Sequence, residues 1–266
     1  MNPFPDKTVF GLTGGIASGK STALKIFGQL GWEAISVDCI VAELLEQDEM
    51  VRRELKERWG DELFFSGGIV DKKKIAQIIF TDSTERLWLE SLLHPLVRSR
   101  WVDLIRKSEE MRFVVEIPLL FENNLKSHFN KILCTYIPMD LQVSRILERG
   151  AKESEAKARI DAQMSSTEKV SLSDYILLGS GSVEFLRRQI EQVIKTLPLQ
   201  VPNLTNHNDI GGLTQHGPQG SRESHTHIRS NLDLIDSSHF VFDRILNRND
   251  FTVRLVDRVE CGIQSG

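Results

Sequence analysis

A three-layer α/β fold around a parallel central sheet is what this sequence predicts, on three observations. Short apolar runs recur at Thr8-Val-Phe-Gly-Leu12, Glu33-Ala-Ile-Ser-Val37, Phe113-Val-Val-Glu-Ile117, Lys131-Ile-Leu-Cys-Thr-Tyr-Ile137 and Tyr175-Ile-Leu-Leu178. Segments of helical periodicity separate them, as expected where parallel strands are joined by crossovers. A glycine cluster spanning Gly14 to Gly19 connects the first run to the first helix.

Taken in order, Ala23, Leu24, Ile26, Phe27 and Leu30 recur at spacings of three and four, which marks one face of a helix over 20–30, and Gly31 follows as a left-handed cap. The second strand then closes a βαβ unit and ends at Asp38. From about 40 to 110 the pattern is helical and charged, broken by Ser66-Gly67-Gly68 and punctuated by His94-Pro95, so an inserted helical region is expected. Pro118 stops the third strand and Pro138 follows the fourth. Residues 139–164 are helical, polar and arginine-bearing, and an amphipathic helix over 182–197 closes the domain at Pro198.

The 266-residue chain, 40% hydrophobic, has the size of one large domain with an appendage. Residues 198–230 are rich in Asn, Gly, Ser, His and Thr and are expected to form a mobile linker, with a short hairpin over 239–257. Five of the seven histidines fall in this tail, but His225-x-His227 has no third ligand, and solvated polar residues are the simpler expectation. With 33 Lys+Arg against 37 Asp+Glu, a net charge of −4, the chain has no basic excess for nucleic-acid phosphates. The three cysteines, Cys39, Cys134 and Cys261, form no CxxC pair, and a reducing compartment fits them best. No run approaches the length of a membrane span, so no membrane partner is expected and a cytoplasmic location is. Oligomeric state is not legible.

The sharpest chemical signal is Gly14-Gly15-Ile16-Ala17-Ser18-Gly19-Lys20-Ser21, followed by Thr22, which satisfies G-x-x-x-x-G-K-[ST] between a strand and a helix. Glycines there let backbone amides turn inward onto phosphate oxygens at a helix N-terminus, where the dipole favours negative charge. Lys20 reaches the β- and γ-phosphates and Ser21 supplies a hydroxyl to Mg²⁺, so ATP with Mg²⁺ is the implied cofactor. Asp38 lies at the carboxyl end of the second strand, beside the same crevice. It suits a base at an acceptor hydroxyl, and equally a helix cap before Ile40-Val41-Ala42. Glu116 is a weaker candidate, at a Walker-B-like strand end.

Several further motifs stand in register with these: Gly68-Ile-Val-Asp71-Lys-Lys-Lys-Ile-Ala-Gln-Ile-Ile-Phe80, Leu93-His94-Pro95, Ile117-Pro118-Leu-Leu-Phe-Glu122, then Arg145, Arg149, Arg159, Gln163 and Ser173-Asp174. Over about 7–197 the chain resembles dephospho-coenzyme A kinases. The resemblance implies a P-loop fold with a helical substrate-binding insertion over about 40–110 and a lid over about 141–165. It implies transfer of the ATP γ-phosphate to the 3′-hydroxyl of dephospho-CoA, the last step of coenzyme A synthesis. By the same resemblance Asp38 is the base at the ribose hydroxyl. His94, Pro95, Pro118, Leu119 and Glu122 belong to the acceptor-binding wall, and Arg145 to the lid that closes on phosphate. The residues alone allow plainer assignments: His94-Pro95 as a helix end, and Arg145 with Arg149 as an exposed face beside Glu148. Ser36, Lys72 and Gly179 depart from the family's usual acidic residue, arginine and side-chain amide.

Two other functions remain open at this level: a catalytically impaired nucleotide-binding regulatory protein, and another P-loop nucleoside or metabolite kinase. A GTPase is disfavoured, because Asn130-Lys-Ile-Leu133 lacks the aspartate of a guanine-reading N-K-x-D.

Overall fold

The computed structural model describes residues 3–196. The expected linker over 198–230, the hairpin over 239–257 and the His225-x-His227 pair lie outside the described residues. Five strands, β1 (Thr8–Gly14), β2 (Glu33–Ser36), β3 (Arg112–Glu116), β4 (Lys131–Tyr136) and β5 (Tyr175–Leu178), form one sheet in the order β2-β3-β1-β4-β5. Every pairing is parallel. Leu12 and Ser36 both lie opposite Glu116, so β2 and β3 end level with each other and β1 runs two residues further, to Gly14.

Alternation along the strands builds the three layers, since successive side chains point to opposite faces. Phe10, Leu12 and Val114 face α1 (Lys20–Gln29) and α9 (Val183–Lys195), packing with Phe27, Trp32, Leu186 and Ile190. Val9, Phe113 and Val115 face the other way, into a larger core with the helical insertion. That insertion comprises α2 (Val37–Gln47), α3 (Glu49–Trp59), α4 (Lys72–Thr81) and α5 (Ser83–Lys107). Gly67 and Gly68 take φ of 105° and 77° in the turn before α4, where Phe64 and Val70 form an isolated antiparallel bridge. Asp71 then caps α4, accepting from the Lys73 and Lys74 amides.

Two expectations are corrected here. The second strand stops at Ser36, and Val37 already belongs to α2, because Val37, Ile40, Val41, Leu44 and Leu45 make one buried helical stripe. Asp38 therefore sits in the first turn of α2, with Ser36 at the cap position, rather than at a strand end or a cap. The proline at 95 ends nothing: α5 runs through it for 25 residues. Proline removes one backbone donor, but Leu89, Leu93, Val97, Trp101 and Ile105 stay buried on one face across it, and that burial outweighs the lost bond.

The segment expected as a lid forms α6 (Met139–Glu148) and α7 (Glu153–Asp161), followed by the short α8 (Ser166–Leu172). Ile146 of α6 and Ala156 of α7 enclose Ala17 of the glycine loop in a small apolar cluster of their own. Gly31 closes α1 at φ 79°, as its position after the helix predicts. No helix among the described residues is long and apolar enough to cross a membrane.

The stripe through Pro95 is testable. Leu93→Ala removes a fully buried side chain and is expected to cost roughly 2–5 kcal/mol of stability, whereas Leu87→Ala, 47% exposed on the same helix, should change it by less than about 0.5 kcal/mol. Urea unfolding of both variants checks the contrast.

Candidate active site

The loop between β1 and α1 holds its shape because its neighbours leave no room for side chains. A Cβ on Gly14 would stand 2.4 Å from the carbonyl oxygen of Thr135, and one on Gly15 would stand 2.5 Å from Gln142 Nε2 and 2.7 Å from Ser166 Oγ. Ala17 adopts φ 58°, a left-handed conformation rare for a residue with a side chain, and Gly19 turns into α1 at φ 101°. Ser18 Oγ bonds to the Gly15 carbonyl at 2.7 Å and lies 2.6 Å from Thr135 Oγ1. No side chain caps the start of α1. Its first amides, from Lys20, Ser21 and Thr22, thus face the loop as donors, the arrangement that binds phosphate.

Lys20 is buried, and its ammonium donates to the carbonyls of Gly14 at 3.0 Å and Gly15 at 2.8 Å. Arg145 comes from α6 and spans the loop's other side. Its guanidinium donates to the Ala17 carbonyl at 3.2 Å and the Gly179 carbonyl at 2.9 Å. Two cations thus border the same loop from elements about 125 positions apart in the chain. Ser21 Oγ makes a long contact, 3.4 Å, with Glu116 Oε1. Glu116, at the end of β3, is 1% exposed; an interior strand covered on both faces leaves its end little solvent.

Asp38 enters from the first turn of α2, two residues beyond the Ser36–Glu116 pairing, and both its carboxylate oxygens are closed to solvent. Its charge at a helix N-terminus is favoured by the dipole. The residues expected in the acceptor wall differ in exposure, and Pro118 and Leu119 are buried. The Pro118 carbonyl accepts from Thr13 Oγ1 at 3.2 Å, and Leu119 closes the turn by accepting from the Asn123 amide. Glu122 forms a buried ion pair with Lys169, 2.8 Å. His94 and Pro95 lie on α5, which packs against α2, and among the described residues neither bonds to the glycine loop. His94 is at the surface, yet the packed side chains beside it dehydrate its ring and lower its pKa against the opposing pull of Glu90. Lys72 pairs with Glu46 on α2, so a cation at this place ties two insertion helices together.

The sequence offers little that marks Thr135, Gln142, Ser166 or Lys169, which surround the loop and its neighbouring turn. Only the polar character of Thr135 within an otherwise apolar strand hints at a role. Gly179 gains an explanation: a Cβ there would lie 2.1 Å from the Ser18 carbonyl oxygen, so the β5–α9 turn presses directly on the loop. Beneath the site, burial pushes the Cys134 thiol pKa up and keeps it protonated.

The family model for dephospho-CoA kinase matches residues 8–184. The chain belongs to the dephospho-CoA kinase family. Curated relatives named dephospho-CoA kinase include one from Bacillus licheniformis, 37% identical over 194 residues that cover 71% of this chain and 96% of the relative. One from Helicobacter pylori is 36% identical over 199 residues, covering 72% of this chain and 98% of the relative. Among solved structures, the dephospho-CoA kinase of Campylobacter jejuni aligns with TM-score 0.53 at 30% identity, over 71% of this chain and 96% of that one. The crystal structure of TT1252 from Thermus thermophilus aligns with TM-score 0.62, also at 30% identity, over 72% and 98%.

The contact at Gly179 gives a direct test. Gly179→Ala must push the Ser18 carbonyl aside and is expected to cost roughly 1–3 kcal/mol, divided between the unfolding midpoint and the affinity for a non-hydrolysable ATP analogue. Titration calorimetry and thermal unfolding measure both parts, and a variant unchanged in both contradicts the close approach.

Proposed function

We propose that this chain transfers the γ-phosphoryl group of ATP to the 3′-hydroxyl of dephospho-CoA, giving coenzyme A and ADP at the final step of coenzyme A synthesis. The observation that carries this is the frame of Lys20 and Arg145 around a glycine loop, in a chain whose family is that of dephospho-CoA kinases. The amides opening α1 hold the β- and γ-phosphates, and Lys20 exchanges its carbonyl partners for phosphate oxygens, where a charged acceptor makes a stronger bond. Arg145 spreads charge from the transferring group and, with the lid helices, excludes water that would compete as acceptor.

The residues fit a magnesium ion. Ser21 Oγ and the Glu116 carboxylate are hard oxygen donors beside the loop, and such a site is completed by phosphate and water and needs no larger protein cage. Mg²⁺ bound there would neutralise charge on the β- and γ-phosphates.

Asp38 orients the acceptor hydroxyl. As the bond from the 3′-oxygen to the γ-phosphorus forms and the bond from phosphorus to the ADP oxygen breaks, the hydroxyl proton passes to its carboxylate. The transition state is loose, so the proton leaves late, and positioning contributes more than basicity does. His94, Pro95 and the turn from Pro118 to Glu122 form the acceptor side, and the reaction belongs in the cytoplasm.

An assay coupled to ADP release, run with Mg-ATP in the presence and absence of dephospho-CoA, tests the proposal; turnover without dependence on that acceptor would sink it. Lys20→Met is expected to lower kcat by about 10³-fold or more. Asp38→Asn should lower it less, by about 10²-fold, with the ATP KM little changed.

A further inference from the structure

We propose that Lys169 is a positioning residue for the acceptor: it fixes the turn carrying Pro118 and Glu122 at a set distance from the nucleotide loop. This rests on the kinase function above.

The side chain of Lys169 is 0% exposed. Its ammonium donates to the Pro118 carbonyl at 2.8 Å and to Glu122 Oε1 at 2.8 Å, both on the single turn that follows β3. Glu122 Oε1 also accepts the Met164 amide at 3.2 Å, at the end of the lid segment. The same Pro118 carbonyl accepts from Thr13 Oγ1, one residue before Gly14. Lys169 therefore shares an anchor with the strand that delivers the loop.

The helix carrying it reaches the nucleotide side as well. Ser166, three residues earlier on the same face of α8, accepts from Gln142 Nε2 at 2.9 Å, and both groups stand against Gly15. One short helix thus touches the phosphate cradle at its first residue and the acceptor turn at its fourth. For stability alone, a buried ion pair is a poor choice, since apolar side chains of like volume commonly do as well. Glu122 Oε2, closed to solvent, has no hydrogen-bond partner among the described residues, so the pair does not even satisfy its own carboxylate. What the pair supplies that an apolar contact cannot is direction: two bonds that fix the turn's carbonyl and carboxylate in space.

The test is steady-state kinetics of Lys169→Met and of Lys169→Gln, which keeps an N–H donor for Pro118 while losing the charge. The dephospho-CoA KM is expected to rise roughly tenfold in Lys169→Met and by about threefold in Lys169→Gln, while the ATP KM moves less than about twofold. A folded variant of either kind whose acceptor KM is unmoved, or whose ATP KM rises by the same factor, overturns the inference and leaves a structural role. Should Lys169→Met not fold, Lys169→Gln decides alone. Absence of dephospho-CoA-dependent turnover in the wild-type chain overturns the kinase function and this inference together, which separates the two failures.

Discussion

The site depends on a steric constraint: backbone must approach backbone and polar side chain around the β1–α1 loop more closely than any Cβ allows. Gly14 against Thr135, Gly15 against Gln142 and Ser166, and Gly179 against Ser18 are three instances at one loop. Each approach brings amides or carbonyls into the cradle that a side chain would hold apart. The loop's strained point, Ala17, survives because its methyl group packs with Ile146 of α6 and Ala156 of α7, so these helices sustain a conformation the loop would not keep alone. Shape and electrostatics have one origin here, since the carbonyls exposed by these turns are those that orient Lys20 and Arg145.

The sheet gives the constraint its position. Because β1 is central and pairs in parallel with β3 and β4, its carboxyl end is flanked by Glu116 on one side and Thr135 on the other. A parallel sheet sends every crossover back over a face and so places every catalytic segment at the same edge. The insertion then folds as a separate helical layer over the sheet. Its core is continuous with Val9, Phe113 and Val115, which ties the insertion to the strand that carries the loop.

Much of this was legible in the sequence because its signals are local. All five strands stand where short apolar runs between helical segments place them, and the phosphate loop announces itself in eight consecutive residues. The misjudged points are those where distant packing overrules a local rule. Pro95 is a helix breaker by its own chemistry, yet Leu89 to Ile105 hold α5 together around it. Val37 reads as the last residue of a strand, but its burial with Ile40 and Val41 claims it for α2 and carries Asp38 into the first turn. Lys169 and Gln142 were illegible for the opposite reason. Charged or polar residues on short helices ordinarily face water, and nothing nearby in the chain shows that Glu122 and Gly15 await them.

The departures from the family pattern bear on what the site retains. A side-chain amide at 179 is incompatible with the backbone spacing found here, so its absence follows from the same close packing that builds the cradle. Arg145 binds the Gly179 carbonyl, which needs no side chain at all, so the contact between α6 and the turn runs through a backbone atom. Ser36 lies opposite Glu116 in the pairing of β2 with β3 and sets no second carboxylate beside it. Lys72 keeps its positive charge and spends it on Glu46. Each departure bears on how the loop or the insertion is supported, and Lys20, Ser21 and Asp38, to which the proposed transfer assigns roles, are all present.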